Sequence, residues 1–153
     1  MKYLFIALII FMVASCKPVV SPFSNFTRLP VEGTWKLLSG TLIEKGDTTV
    51  TGYTESIDFI KIINESHFAF LSHDRNKRKD STGFYSSGAG RYTLKGSAYT
   101  EHLEYCSDRQ WEGNEFEFTL SFYGDTLVQQ GTEKIDSLRI NRLNIERYIR
   151  MKD

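Results

Sequence analysis

Apolar and polar residues alternate along much of the chain, most regularly between residues 115 and 123. In this segment Phe116, Phe118, Leu120 and Phe122 fall on every second position. A period of two is typical of a strand with one buried and one solvated face. Comparable segments separated by Gly, Asn, Asp and Ser turns predict eight strands. The predicted strands span residues 33–43, 54–64, 67–73, 88–95, 98–106, 114–123, 126–131 and 143–151, and residues 132–142 are expected to form a short helix or an irregular link.

Eight antiparallel strands in an open sheet would leave one unprotected edge at each end. Closing the sheet into an up-and-down barrel removes both edges. The first strand would then turn Trp35 and Leu37 inward. The pattern therefore predicts an all-β, eight-stranded antiparallel barrel, whose interior is wide enough for side chains or for one small ligand.

The amino-terminal segment differs from the rest of the chain. Residues 1–15 combine Lys2 with a short apolar run, as signal peptides do, and the run is too short to span a bilayer. Val13-Ala14-Ser15-Cys16 resembles the lipobox of bacterial lipoproteins, which implies cleavage before Cys16 and lipid modification of its thiol. Residues 16–30 hold all three prolines and are expected to form a tether, followed by a barrel domain at 31–153.

The resemblance to lipoproteins also implies a location. Lys17 stands where an aspartate would retain some lipoproteins in the inner membrane, and residues 17–22 lack the acidic cluster of some surface lipoproteins. We therefore expect a protein of the bacterial cell envelope, anchored in the outer membrane through its amino-terminal lipid and facing the periplasm. With Cys16 lipidated, Cys106 has no partner for an intramolecular disulfide.

Composition narrows the class of function further. The 19 Lys and Arg residues balance the 19 Asp and Glu residues. Nucleic-acid binding requires clustered basic charge, so no nucleic acid is expected as a partner. Neither a glycine-rich phosphate loop nor a nucleophile elbow is present, and the histidines His67, His73 and His102 do not form a metal-ligand pattern. No catalysis, metal or cofactor is therefore predicted.

Several motifs together resemble a bacterial lipocalin-like family of unknown function, found in secreted or lipid-anchored proteins. They are Gly33-Thr34-Trp35, residues 62–70, residues 88–96, residues 99–105 and Gly124-Asp125-Thr126-Leu127. The resemblance covers nearly the whole chain from Val31 onward and implies a lipocalin-type barrel, without implying an activity. It also implies that a basic residue from the end of the barrel packs across Trp35, and Arg147 and Arg150 are the candidates. Arg150 is favoured because it shares the strand parity of Tyr148.

Ligand-binding candidates follow from strand parity. Tyr99, Glu101 and Tyr105 share one face of their strand with Leu103, and that face is expected to point inward. A buried Glu101 needs a partner, which Arg91 or Arg150 would supply, either as a structural ion pair or as a polar anchor at the base of a pocket. The aromatic candidates for the pocket wall are Phe116, Phe118 and Phe122.

Tyr148 and Arg150 lie on one side of the last strand, and this arrangement is similar to the Arg and Tyr residues that hold a carboxylate in fatty-acid carriers. The leading hypothesis is a non-catalytic barrel that binds a small apolar or amphipathic ligand, including an anionic one. The alternative is a protein–protein interaction module with a filled core. In that case Trp111 and the basic loop 74–80 would contact another envelope protein.

Overall fold

The computed structural model describes residues 29–76 and 83–152. The predicted signal segment 1–15, the predicted lipidation site Cys16, most of the predicted tether and residues 77–80 of the basic loop lie outside this range. In the part of the chain that the structure describes, no helix is long and apolar enough to cross a membrane.

The described chain is built of nine strands and two single-turn 3₁₀ helices. The strands are β1 (Gly33–Glu44), β2 (Asp47–Gly52), β3 (Ile57–Ile63), β4 (His67–Asp74), β5 (Tyr85–Lys95), β6 (Ala98–Cys106), β7 (Glu115–Tyr123), β8 (Thr126–Ile135) and β9 (Ile140–Arg150). The 3₁₀ helices are Arg109–Trp111, between β6 and β7, and Asp136–Leu138, between β8 and β9.

The sheet closes on itself, because β1 pairs with β9 as well as with β2 and β3. Each pairing is antiparallel, and the consecutive strands from β3 to β9 are neighbours. The prediction of an all-β, eight-stranded antiparallel barrel is therefore confirmed, with β2 as one additional strand. In effect β2 and β3 follow one another along β1: β3 pairs with its first residues, from Gly33 to Lys36, and β2 with its last, from Ser39 to Glu44.

Two predictions about individual elements need correction. The short helix or irregular link expected at residues 132–142 is confined to the 3₁₀ helix Asp136–Leu138, because β8 continues to Ile135 and β9 begins at Ile140. The strand alternation continues there with polar residues, since Glu133 faces inward and is buried like Ile135. The prediction also missed β2, whose sequence Asp-Thr-Thr-Val-Thr-Gly is mostly exposed and has little apolar content.

Bulges change the inward face of two strands. Leu38 is an extra residue of β1 opposite β9, so the inward positions change from Trp35 and Leu37 to Gly40 and Leu42. On β6, Glu104 is an extra residue opposite the Ala89–Gly90 step of β5. These shifts decide which side chains enter the barrel, because a one-residue slip moves all later side chains to the other face.

One end of the barrel is filled with large side chains. We call this end the closed half, defined by the buried residues Val31, Trp35, Leu37, Phe68, Tyr92, Tyr99, Leu120 and Leu127. Trp35 is 1% exposed and donates a hydrogen bond from its indole nitrogen to the carbonyl oxygen of Val31, at 2.8 Å. The chain leading into β1 therefore packs against this end of the barrel.

The strand ends meet at Trp35. The guanidinium carbon of Arg150 lies 4.1 Å from the centroid of the Trp35 ring, and the two residues are register partners in the β1–β9 pair. The guanidinium also donates to the carbonyl oxygens of Pro30 and Glu32. Gly33 leaves room for the guanidinium of Arg150, because a Cβ at Gly33 would lie 2.5 Å from one of its nitrogens. The φ of Gly33 is +137°, which also favours glycine. Of the two candidate arginines, Arg150 makes the contact, while Arg147 is exposed on the outer face.

Candidate ligand-binding cavity

The other end of the barrel encloses a cavity of about 350 Å³ that opens at its mouth. We call this end the hollow half, because its inward side chains line the cavity instead of filling it. The apolar part of the wall is formed by Leu42, Tyr53, Phe59, Phe70, Leu103, Phe116, Phe118 and Trp111. The polar part is formed by Lys61, Glu101, Gln129, Glu133, Arg142, Asn144, Glu146 and Tyr148, with Cys106 and Asp108 near the mouth.

A buried ion pair forms the floor of the cavity. Lys61 and Glu101 are only 3% and 7% exposed, and the ammonium of Lys61 is in direct contact with Oε1 of Glu101. The same ammonium donates to the side-chain oxygen of Gln129 at 2.9 Å. It also lies 5.5 to 5.7 Å from the ring centroids of Phe68, Tyr99 and Tyr148. Lys61 is thus surrounded by one carboxylate, one amide oxygen and three aromatic faces, which together replace its hydration.

Tyr99 lies directly below this layer. It is fully buried, and its hydroxyl has no hydrogen-bond partner among the described residues. Burial, and next the negative charge of Glu101, raise the pKa of Tyr99 far above its usual range. Tyr99 therefore remains a neutral phenol and contributes its ring to the boundary between the two halves of the barrel.

A second carboxylate, Glu146, faces the cavity from β9. Its Oε2 accepts a hydrogen bond of 2.8 Å from the hydroxyl of Tyr148. Burial raises the pKa of Glu146, and Glu101 and Glu133 raise it further, while Lys61 and the Tyr148 hydrogen bond act in the opposite direction. The pKa of Tyr148 is also raised well above its usual range, first by burial and then by Glu146. The pair therefore prefers a neutral phenol that donates to the carboxyl group.

A third group of polar side chains lies between the floor and the mouth. Glu133 accepts hydrogen bonds of 2.7 Å from both Arg142 and Asn144. The guanidinium of Arg142 also lies 5.3 Å from the centroid of the Trp111 ring. Trp111 in turn contacts Phe116, with ring centroids 5.8 Å apart. The 3₁₀ helix Arg109–Trp111 is held across the mouth by these contacts.

Four aromatic rings form a continuous wall centred on Phe59. The ring centroid of Phe59 lies 5.9 Å from Tyr53, 5.6 Å from Phe70 and 6.4 Å from Tyr148. Gly88 makes room for this wall, because a Cβ at its position would lie 2.5 Å from the Phe70 ring. Aromatic walls with a few convergent polar groups are the usual composition of small-molecule sites.

Cys106 is the free cysteine among the described residues, and it lines the cavity. Burial is the main effect on it and raises the pKa of its thiol. A thiol of this kind stays protonated, whereas a nucleophilic cysteine requires a lowered pKa. The arrangement around Cys106 is therefore that of a small apolar wall residue.

The structure brings together four of the predicted ligand-binding residues. Glu101, Phe116, Phe118 and Tyr148 line the cavity, and Tyr99 lies beneath its floor. Phe116 and Phe118 thus border open space, while the next inward residues along β7, Leu120 and Phe122, belong to the closed half.

Three predicted candidates do not line the cavity. Tyr105 is 68% exposed on the outside, because the extra residue Glu104 reverses the alternation after Leu103. Phe122 packs edge-on against Trp35, with centroids 6.0 Å apart, since the barrel is filled at that level. Arg150 follows Tyr148 out of the interior and covers Trp35. The proposed Tyr148–Arg150 clamp for a carboxylate is therefore not assembled.

The partner of Glu101 also differs from the prediction. Arg91 lies outside the barrel and binds Glu104 at 2.6 Å, and Arg150 is at the opposite end. Lys61 fills this role instead. Its signal in the sequence was parity: Phe59, Lys61 and Ile63 occupy alternate positions of β3, so an inward Phe59 implies an inward Lys61. Parity with Tyr148 likewise indicates Asn144 and Glu146 on β9.

The histidines lie apart from the cavity wall. His102 contacts Glu115 at 2.8 Å, His67 contacts Ser66 at 2.8 Å, and His73 contacts the backbone oxygen of Asp74 at 2.8 Å. Within residues 29–76 and 83–152, no group of three or more His, Cys, Asp or Glu side chains is arranged to hold a metal ion. The cavity itself offers hydrogen bonds, aromatic faces and carboxylates.

No protein-family model and no curated protein matches the chain. Its function is therefore inferred from its own geometry.

Proposed function

We propose that the protein is a lipid-anchored, non-catalytic binding protein of the bacterial envelope, which holds one small amphipathic ligand in the hollow half of its barrel. The observation that supports this most directly is the cavity of about 350 Å³, with an aromatic wall and a polar floor. This volume lies at the lower end of the range typical for small-molecule sites, roughly 300–1,000 Å³. The ligand is therefore small.

The composition of the cavity supports an amphipathic ligand over a purely apolar one. One side of the wall carries Phe59, Phe70 and Phe116, which suit a hydrocarbon group. The other side carries Glu146 and the Lys61–Glu101 pair, and burying these beside a purely apolar molecule would leave polar groups without partners. The raised pKa of Cys106 disfavours a thiolate nucleophile at this wall of the cavity.

The alternative function, an interaction module, requires a filled interior. Only the closed half has that property. Tyr105 and Tyr85 lie on the outside of the barrel and are 68% and 62% exposed. An interaction surface formed by such residues would not account for the cavity. Ligand binding is therefore the function that the geometry supports better.

Native mass spectrometry of the detergent-extracted protein tests the binding proposal. We expect a mass addition corresponding to one small molecule per chain. Leu42→Trp, which adds bulk at the cavity wall, should reduce the bound fraction. Val50→Trp is the matched control, because it adds the same side chain to a position that is 68% exposed on the neighbouring strand. A ligand-free wild-type protein that also fails to take up added amphiphiles would contradict the proposal.

The proposed anchor is tested separately by growing cells with a labelled lipid precursor. We expect wild-type protein to carry the label and Cys16→Ala to lack it. Cell fractionation should find the labelled protein with the outer membrane. Label on the Cys16→Ala protein would refute the lipidation site while leaving the cavity proposal intact.

A further inference from the structure

The cavity is lined by more carboxyl groups than cationic groups. Its two cations are both engaged by carboxylates: Lys61 by Glu101 and Arg142 by Glu133. Glu146 is a third carboxylate, and among the described residues no cation lies within ion-pair distance of it. Within the described part of the chain, its hydrogen bond comes from Tyr148 to Oε2, and no donor contacts Oε1. Among the described residues, Glu146 is therefore a cavity carboxyl group that no cation contacts directly, although the charge of Lys61 acts on it from farther away.

Aromatic rings line the same cavity as Glu146. Glu146 is the register partner of Gly40 on β1. Because Gly40 has no side chain, the Tyr53 ring lies over it, 3.3 Å from where a Cβ would be. Phe59 connects this ring to that of Tyr148, as the ring-centroid distances show. An aromatic wall next to a carboxylate is the combination by which proteins recognise organic ammonium groups.

We propose that the ligand is an organic amine, whose ammonium group binds the free carboxylate oxygen of Glu146 and faces the rings of Tyr53 and Phe59. The apolar remainder of the ligand would lie against Phe116, Phe118 and Leu103 on the opposite wall. This inference rests on the proposed function, since it names the chemical class of the ligand in the same cavity.

An anionic ligand fits the cavity less well. The ammonium of Lys61 is already in contact with Glu101 and Gln129, and the guanidinium of Arg142 with Glu133. An incoming carboxylate would have to break one of these pairs and then lie close to Glu146. An ammonium group instead completes a pair, and it offsets the burial that raises the pKa of Glu146.

Three probes that differ only in their polar group test the proposal. The full chain is titrated by isothermal calorimetry with octylammonium, octan-1-ol and octanoate at neutral pH. We expect octylammonium to bind about tenfold more tightly than octan-1-ol, which corresponds to one charge-assisted hydrogen bond, and octanoate to bind most weakly. The comparison uses the unaltered chain, so it does not depend on the folding of a variant.

Glu146→Gln identifies the group responsible. Glutamine keeps an oxygen that accepts from Tyr148 but carries no charge, so we expect the preference for octylammonium over octan-1-ol to disappear. Glu104→Gln is the matched control, because Glu104 lies outside the barrel with Arg91 and its replacement should preserve the preference.

The outcomes distinguish failure of the amine proposal from failure of the ligand-binding proposal. Equal binding of octylammonium and octan-1-ol, or tighter binding of octanoate, would overturn the amine proposal and leave ligand binding standing. A preference that survives in a folded Glu146→Gln protein would remove Glu146 from the proposal. Failure of all three probes to bind would overturn both proposals together.

Discussion

The closed half and the hollow half of this barrel are built from the same strands but have opposite interiors. Along β9, Tyr148 lies at the boundary, Arg150 covers the filled end, and Glu146 and Arg142 line the cavity. The closed half buries mainly large apolar side chains around Trp35. The hollow half places carboxylates, two amides and two cations around open space. One end of the barrel is thus filled and the other is hollow, and we propose that the hollow end binds the ligand.

The Lys61–Glu101 pair lies where the two interiors meet. Buried ion pairs seldom add net stability relative to apolar residues of similar size. At this position the pair places two charged side chains between the apolar packing of the closed half and the cavity. The difference between the halves can be tested by changing these residues.

Truncating a ring in each half should give the largest effect and the largest contrast. Trp35→Ala removes a ring that is 1% exposed and is contacted by Arg150 and Phe122, so we expect a loss of about 4 kcal/mol in the free energy of unfolding. Phe59→Ala removes a ring that borders the cavity, and we expect about 2 kcal/mol. Urea denaturation measures both values. Equal losses would show that the hollow half is packed as tightly as the closed half.

The boundary itself should be sensitive to removal of one partner. Lys61→Met leaves Glu101 buried without its cation, and we expect a loss of about 3 kcal/mol at neutral pH. The double variant Lys61→Met/Glu101→Leu should recover most of this loss, because the uncompensated charge is gone. The measurement is a double-mutant cycle from urea denaturation. A single variant as stable as the wild type would show that Glu101 is not held by Lys61.

The sequence predicted the closed half better than the hollow half. The side chains of the closed half obey the simple rule that alternate apolar residues face inward, as Trp35 and Leu37 do. Strand β6 was predicted with the bounds that the structure has. The Gly33-Thr34-Trp35 motif and the parity of Arg150 also indicated where the first and last strands meet. Apolar periodicity is a reliable signal wherever the interior is apolar.

The hollow half breaks that rule in two ways. Polar residues occupy inward positions there. Because Glu133 and Asn144 interrupt the apolar periodicity, the pattern did not predict that β8 continues to Ile135 or that β9 begins at Ile140. The bulge at Glu104 then reversed the face of Tyr105, and such a bulge depends on pairing with β5 that the sequence does not display. Lys61 was missed as the partner of Glu101 because the two lie on strands that are distant in the chain.

The contact between Arg150 and Trp35 should contribute a moderate amount to the closed half. Arg150→Lys keeps the charge but loses the planar group that covers the indole and donates to the carbonyl oxygens of Pro30 and Glu32. We expect a loss of about 1–2 kcal/mol in the free energy of unfolding. Arg147→Lys is the control, because Arg147 is exposed and should change stability by less than about 0.5 kcal/mol. Similar effects from both variants would indicate that charge, and not the stacked geometry, matters at the strand ends.

The pH dependence of Glu146→Gln should provide the finest test of the difference between the halves. The charged and titratable groups around Glu146 come from several strands and are Lys61, Glu101, Glu133, Arg142, Tyr53 and Tyr148. Burial dominates and raises the pKa of Glu146 above 4.5, the ordinary value for glutamic acid. Below pH 4.5 the group is protonated in both the folded and the unfolded chain and contributes no difference.

As the pH rises from 4.5 through the raised pKa, the unfolded chain loses its proton first, and the folded wild type becomes less stable relative to it. The slope from one proton cannot exceed about 1.4 kcal/mol per pH unit, and Lys61 and the Tyr148 hydrogen bond oppose the effect of burial. Glu146→Gln does not titrate, so its stability relative to the wild type should increase with pH and then level off. Thermal unfolding from pH 4 to 8 measures this, with Glu104→Gln as the control. A stability difference that is constant across this range would mean that Glu146 is as well solvated as a surface carboxylate. In that case the hollow half would not bury a carboxylate that lowers the stability of the fold.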